Sequence, residues 1–588
     1  MRRELARAAR LWKDTDLVNV QAARTVSRTT LALVFLALAC DKEPPPGASG
    51  DQAPERAEAP RAGTPVLPPE LSPRTPSSVV AAPSAAPAPV APEGPWTGAW
   101  FAVTSPAAGV YSEMSFERSK KTGFIRSGGR TPVEPGKTEK KNCTGGWYKV
   151  HSGGYVCGNY GTTDLTHPDV KFATSQPNLK EVLPYPYARN AKNGTPLYKT
   201  VPSREQMEKY EPYLKEKEKE KDEGKDAVAK AAGDAVGKSA AAAAAAAISP
   251  DPALPIAAQE GATQLLPTPV AAQDPEPDKP WWQQEDIKDR LHQMKLDSLS
   301  ADSDDILAKR MVSGFYVAVD KTFRWNGRSW YKTTKGLVAP SDRMWQASGS
   351  SFKGVELDGV TYKLPLGWVY GGNKSAGTYT IDLEAKTIKN AKTIDRFVAI
   401  PLTGKYVEFQ GKDYAELSDG TFIKKSQVRI TEPGPPPQGL GENERYVDVD
   451  LSSQTIVAFE GGRPVYATLI SSGKHSKNKD KDHSTPTGEW RVREKHVTTT
   501  MDGDGTAAGD LPYSIEDVPY VQYYHRSFAL HAAFWHSNFG VQMSHGCVNL
   551  APLDAKWLFF FTGPHLPEGF HGVWSNESAA GSRVIVHD

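Results

Sequence analysis

Cys547 is the strongest nucleophile candidate in this sequence, and His531, His536 and His545 stand just upstream of it in the stretch HAAFWHSNFGVQMSHGCVNL (531–550). A thiol is mostly protonated at neutral pH, so a nucleophilic cysteine needs a nearby base or a positive environment to become thiolate. Histidine is the side chain best tuned for that exchange near pH 7. Gly546 leaves the backbone unobstructed and can adopt positive φ, which suits a tight turn beside the sulfur. Successive amides in such a turn can converge on one oxyanion. Nucleophile, base and oxyanion donors would then come from one segment, which is the equipment of acyl transfer. Two other readings compete. A metal held by His531, His536, His545 and Cys547 would need spacings that match none of the common zinc patterns, and no carboxylate ligand is suggested. A structural cysteine flanked by surface histidines is the third reading.

The rest of the chain says where such a site would work. It holds four cysteines, Cys40, Cys143, Cys157 and Cys547, and a net charge of +1. That balance gives no electrostatic ground for a nucleic-acid partner or for attraction to an anionic membrane. The apolar run from Thr30 to Ala39 follows Arg24 and Arg28 and is too short to span a bilayer, but it fits the apolar core of an export signal. Its end, LALAC, resembles a bacterial lipobox, in which Cys40 would be lipidated and become the mature N-terminus. Plain cleaved secretion is the alternative. In an oxidising compartment Cys143 and Cys157 read as a disulfide closing a short Gly- and Tyr-rich loop, against two reduced, buried thiols. Cys547 is left over, and an odd cysteine in an exported protein marks a reactive thiol.

The elements that must position the site are mainly β, in several domains. Residues 41–95 are rich in Pro, Ala, Ser and Glu and read as a disordered tether. Residues 96–214 alternate apolar and polar positions over short runs and read as a β-rich domain with the texture of SH3-like barrels. A Glu/Lys-rich run, an alanine tract and Pro-rich sequence make 215–280 a linker without an apolar stripe. Strand texture returns at 281–431 without a catalytic constellation, and Trp281 and Trp282 are expected to pack on it. Residues 432–443, with the run EPGPPP, mark a boundary before a strand-rich domain at 444–588.

SHGCVN at 544–549, with His531 upstream, resembles the signature of the L,D-transpeptidase catalytic (YkuD) domain. Three further landmarks stand in the family's order. STPTGEW at 484–490 resembles its Thr-Pro-x-Gly hairpin; VPYVQYY at 518–524 with FALH at 528–531 resembles the strand pair leading to the catalytic histidine; DAKWLF at 554–559 resembles the helix after the site. The resemblance covers residues 444–588 and implies a C-terminal β-sandwich with a short helix, needing no metal or other cofactor.

The resemblance also implies roles. Cys547 would attack the carbonyl of a peptidoglycan tetrapeptide stem, ahead of the terminal D-Ala. His531 would move the proton, oriented by the carbonyl of Ala532. His545, Gly546 and the Cys547 amide would form the oxyanion pocket, supported by Ser544, with Tyr520 and Asn549 positioning substrate. His536 would at most line the site. An amine on a neighbouring stem or on a wall-attached protein would resolve the acyl-enzyme. Water as acceptor would make the chain an L,D-carboxypeptidase or a protein-releasing amidase, and an inactive domain would make it a wall-binding scaffold. Papain-like peptidases are disfavoured by chain order, because they place the cysteine before the histidine.

Overall fold

The computed structural model describes residues 96–215, 280–301, 304–504 and 511–588. The expected export signal at 1–40 with Cys40, the tether at 41–95 and nearly all of the 215–280 linker lie outside those residues. The described chain is mainly β with short helices. Among the described residues no helix is long and apolar enough to cross a membrane.

The C-terminal domain is two sheets and a helix around one core. In the first sheet Arg445–Asp450 pairs antiparallel with Thr455–Glu460 and parallel with Arg583–His587, whose other edge takes Gly488–Arg491. The second sheet runs Val548–Leu550, Phe528–Ala532, Tyr513–His525, Glu494–Gly503, Gly572–Trp574. Arg463–Ser471 joins the two: it pairs along Thr455–Glu460, and its end, Ile470 and Ser471, pairs with Leu550 and Asn549. Strand alternation sends every second residue inward. Val447, Val449, Val584 and Val586 of one sheet thus meet Leu530, Ala532, Val548 and Leu550 of the other, with Leu558 and Phe559 of the helix Pro552–Phe561. Each fully buried side chain of this size contributes roughly 1.5–3 kcal/mol. Pro552 opens the helix where its missing N–H costs no bond. The buried Lys495 closes it by donating to the carbonyls of Phe559 and Thr562.

The units before this domain are not divided as the sequence texture suggests. Thr195–Tyr198 and Tyr187–Asn190 precede the 215–280 linker yet pair with strands beyond it, with Leu307–Met311, Tyr316–Trp325 and Met344–Ala347. The expected 96–214 domain is therefore two pieces. Strands from Ala99–Val103 to Gly161–Thr162 form an N-terminal unit, in which Cys143 and Cys157 are joined by a disulfide. The later strands belong to a middle unit with 304–347, sharing a core of Ala188, Leu197, Met311, Val317 and Ala339. Trp281 packs on that core. The expected 281–431 domain splits as well: Leu366–Val369 to Val428–Thr431 form a third unit around Val369, Ile400, Ala415 and Ile423. Alternation reveals a strand but not its partner, which is chosen by the faces buried together.

All three units attach to the C-terminal domain. Gly123 and Phe124 pair with Val573 and Gly572, so the N-terminal unit extends the second sheet. The Tyr187 hydroxyl of the middle unit donates to the Asp517 carbonyl. Val355 and Glu356, leading into the third unit, pair with Ala467 and Tyr466.

Candidate active site

His531 and Cys547 are brought together by the parallel pairing of Phe528–Ala532 with Val548–Leu550. The register sets Leu530 opposite Val548 and His531 opposite Asn549, with Cys547 one residue before that strand. Leu530, Ala532, Val548 and Leu550 face the core. The alternate set, His531, Cys547 and Asn549, therefore projects from the opposite face. That face carries a second cluster in which Cys547 packs with Tyr523, Phe534 and Trp535.

His531 is almost fully buried, and its Nδ1 lies 3.1 Å from the carbonyl oxygen of Ala532. A carbonyl can only accept, so the ring proton sits on Nδ1 and Nε2 keeps its lone pair. Burial, outweighing the Ala532 hydrogen bond, pushes the imidazole down to about 4. At neutral pH the ring is an uncharged base. The Cys547 thiol is half-buried and donates weakly to the Ser527 carbonyl at 3.7 Å.

The turn before the sulfur is locked from both sides. The Ser544 hydroxyl donates to the Cys547 carbonyl and accepts from Gly546 N–H at 3.1 Å. Gly546 has φ +120°, and a Cβ there would come within 2.5 Å of the Phe528 ring, so only glycine fits. Its carbonyl accepts from the Thr485 hydroxyl at 2.8 Å, which in turn accepts from Gly473 N–H at 2.9 Å. Thr485 comes from the STPTG hairpin, so that hairpin braces the turn.

The family model of the L,D-transpeptidase catalytic domain, YkuD, matches residues 444–586. Residues 444–586 form a YkuD domain. The chain is similar to the catalytic domain of the Enterococcus faecium L,D-transpeptidase, with 25% identity over 25% of this chain and 98% of that one, TM-score 0.19. It is also similar to an L,D-transpeptidase from Mycobacterium smegmatis, with 16% identity over 31% of this chain and 77% of that one, TM-score 0.19. The corresponding values for the Stackebrandtia nassauensis L,D-transpeptidase are 22%, 25% and 58%, TM-score 0.18. The chain thus spans just under three fifths of the length of that last protein. No match was found among curated proteins.

Within the YkuD domain several expected roles change. Gly546 N–H is committed to the Ser544 hydroxyl, so the expected oxyanion pocket loses that donor; a serine two residues back competes for the amide through a local side-chain bond. Tyr520 is not at the site. It is fully buried in the core beside Phe559, with its hydroxyl 3.3 Å from the Glu181 carbonyl. It lies on the core side of the strand, with a positive φ of +56°. Tyr523 stands nearer the sulfur instead, opposite Ala529, and burial together with the Cys547 charge raises its phenol. His545 is an exposed rim residue stacked on Tyr513 and met edge-on by His483.

Asn549 is buried opposite His531, and its amide meets His536 Nε2 at 3.1 Å. His536 Nδ1 accepts from Asn538 N–H at 3.2 Å, so a neutral ring carries its proton on Nε2. The amide atom facing it must therefore be the oxygen, which turns the NH2 group away from His536. Burial pushes His536 down to about 4, keeping it neutral in this role. Tyr523, Trp535 and Thr485 were not singled out from sequence. The STPTG hairpin signalled Thr485, whereas nothing local distinguished Tyr523 from its neighbour Tyr524 in the core.

Proposed function

We propose that this chain is a peptidoglycan L,D-transpeptidase. The observation that carries the proposal is the shared face of His531 and Cys547, with the ring proton held on Nδ1 by Ala532. His531 Nε2 takes the thiol proton as Sγ attacks the carbonyl ahead of the terminal D-Ala. The Cys547 amide is the oxyanion donor left in the turn, since Gly546 N–H is held by Ser544. His531 then returns the proton to the leaving amine of D-Ala, and a thioester remains on Cys547. An amine of a neighbouring stem, or of a wall-attached protein, attacks the thioester; His531 takes its proton and Sγ departs. The product is a new amide bond, a 3→3 crosslink when the acceptor is a stem. The apolar run Thr30–Ala39 ahead of Cys40 supports an exported, lipid-anchored enzyme working in the cell envelope.

The test is to incubate the full chain with disaccharide-tetrapeptide and weigh the products. A crosslinked dimer with release of D-Ala supports transfer. Disaccharide-tripeptide with D-Ala supports hydrolysis by the same thioester, and an absence of product from the wild-type chain overturns both. Cys547→Ala should lower turnover by about a thousandfold or more, because alanine cannot form the thioester.

A further inference from the structure

Three segments far apart in sequence, 349–353, 396–398 and Ser537, surround an open cavity of about 580 Å³. Ser537 follows His536 directly, so the cavity begins where the catalytic loop ends. Its base is aromatic: Phe352 stacks on Phe397 at 4.4 Å and on Phe539 at 5.9 Å. Lys353 and Arg396 stand on its walls with the hydroxyl residues Ser350, Ser351 and Ser537.

The walls are held in place by hydrogen bonds between units. Gly371 N–H donates to the Phe539 carbonyl at 3.3 Å, and Arg429 Nε donates to the Gly540 carbonyl at 2.8 Å. Gly354 N–H donates to the Asp554 carboxylate at 2.8 Å. Arg396 is oriented by one donated bond to the Gly371 carbonyl and by lying 4.3 Å over the Phe397 ring. Among the described residues neither Arg396 nor Lys353 forms an ion pair. Asp554 does feel the Lys353 charge, but it is buried and already accepts from Tyr466, Thr468 and Gly354. Two cations without a counter-charge in a concave, hydroxyl-lined site select an anion, and a guanidinium beside an ammonium suits a carboxylate.

We propose that this cavity binds the carboxylate end of the acceptor stem peptide, so the third unit supplies a substrate subsite to the YkuD domain. The inference rests on the proposed function. His536 is hydrogen-bonded to Asn549, which is two residues from Cys547. At a strand rise of about 3.3 Å per residue Asn549 is about 7 Å along the strand from Cys547, and the His536 bond adds to that, so the Ser537 wall lies more than one peptide residue from the sulfur. The carboxylate of the leaving D-Ala is within one residue of the attacked carbonyl, too near to reach the cavity. A second stem reaches it with its amine at the thioester.

The test uses the full chain carrying Cys547→Ala, titrated calorimetrically with a free tripeptide stem and with the same peptide amidated at its carboxylates. Amidation should weaken binding about tenfold or more. Lys353→Glu in the same background should weaken binding of the free peptide as much; Lys353→Gln, which removes the charge without setting a second carboxylate near Asp554, should weaken it in the same direction with an unchanged melting temperature. Equal binding of both peptides, or indifference to Lys353→Glu, overturns the proposal. In the Cys547 protein, Lys353→Glu should raise the KM for acceptor about tenfold and leave the rate of Cys547 acylation unchanged. A slowed acylation would assign the cavity to the donor and overturn it as well. If the wild-type chain transfers no acyl group while Cys547→Ala still discriminates the peptides, the proposed function fails and the cavity stands. Transfer without discrimination is the reverse.

Discussion

Arg126 grips Asp517 with both guanidinium nitrogens, Nη1 to Oδ1 at 2.8 Å and Nη2 to Oδ2 at 3.3 Å, across the junction of the N-terminal unit and the YkuD domain. The same carboxylate accepts from Thr498 of the YkuD domain and Thr334 of the middle unit. Three units converge on one buried charge. Burial alone would raise the Asp517 carboxyl; the Arg126 charge and the hydrogen bonds outweigh it and hold it at about 2.

Arg126→Ala should therefore destabilise the chain by about 3–5 kcal/mol, because it strands a buried carboxylate. Denaturant midpoints measure this, and adding Asp517→Asn should recover part of the loss. The folded carboxyl titrates below its unfolded value. The contribution of the pair is thus full above about pH 4 and disappears as pH falls through about 2.

A separate acid sensitivity should appear at higher pH. Burial holds His531 and His536 near 4 and His571 near 3, below the unfolded value of 6.5. The unfolded state takes up these protons first, so stability is full above pH 6.5 and falls as pH drops from 6.5 toward 4. Asp554, pushed up to about 6 by burial, opposes the trend over part of that window. Asp448, Glu516 and His587 are raised against the trend and His525 and His565 are lowered with it, while His531, His536 and His571 carry the large shifts and give a net loss. Thermal melting across pH 7.5 to 4.5 should show a declining midpoint, and a flat profile would contradict the buried, neutral histidines.

The catalytic turn should fail when either of its braces is removed. Gly546→Ala drives a methyl into the Phe528 ring at a backbone angle that alanine rarely adopts, a strain of about 1–3 kcal/mol. Thr485→Val removes the hydroxyl between Gly473 N–H and the Gly546 carbonyl and leaves both without that partner, a cost of about 1–3 kcal/mol. Both variants should slow Cys547 acylation by tenfold or more. Thr485→Ser should restore the rate, because it returns the hydroxyl.

Reduction should act on the N-terminal unit and spare the site. The Cys143–Cys157 disulfide closes a loop of sequence separation 14, for which the stabilisation is about 3 kcal/mol. Reductant should raise hydrogen exchange across 96–162 while leaving acylation of Cys547 intact.

The site chemistry was legible in the chain because it is local. His531, Ser544, Gly546 and Cys547 lie in one short stretch, and a register of two parallel strands is enough to place base and nucleophile on one face. The mainly β character was legible too, since period-two alternation is written residue by residue. Tyr520 and Tyr523 mark where this ends. Both are tyrosines of one strand, three residues apart and so on opposite faces, and only the packing decides which face meets the core. The unit boundaries failed for a related reason: Tyr187–Asn190 reads as a strand, but its partners lie beyond a long linker. By itself the sequence determined the elements, the YkuD signature and Cys547 as the nucleophile candidate. Only the tertiary structure decided which strands pair, that Gly546 N–H is held by Ser544, and that Arg396 and Lys353 flank the catalytic loop. Such choices depend on faces buried together by residues hundreds of positions apart, and no local pattern records them.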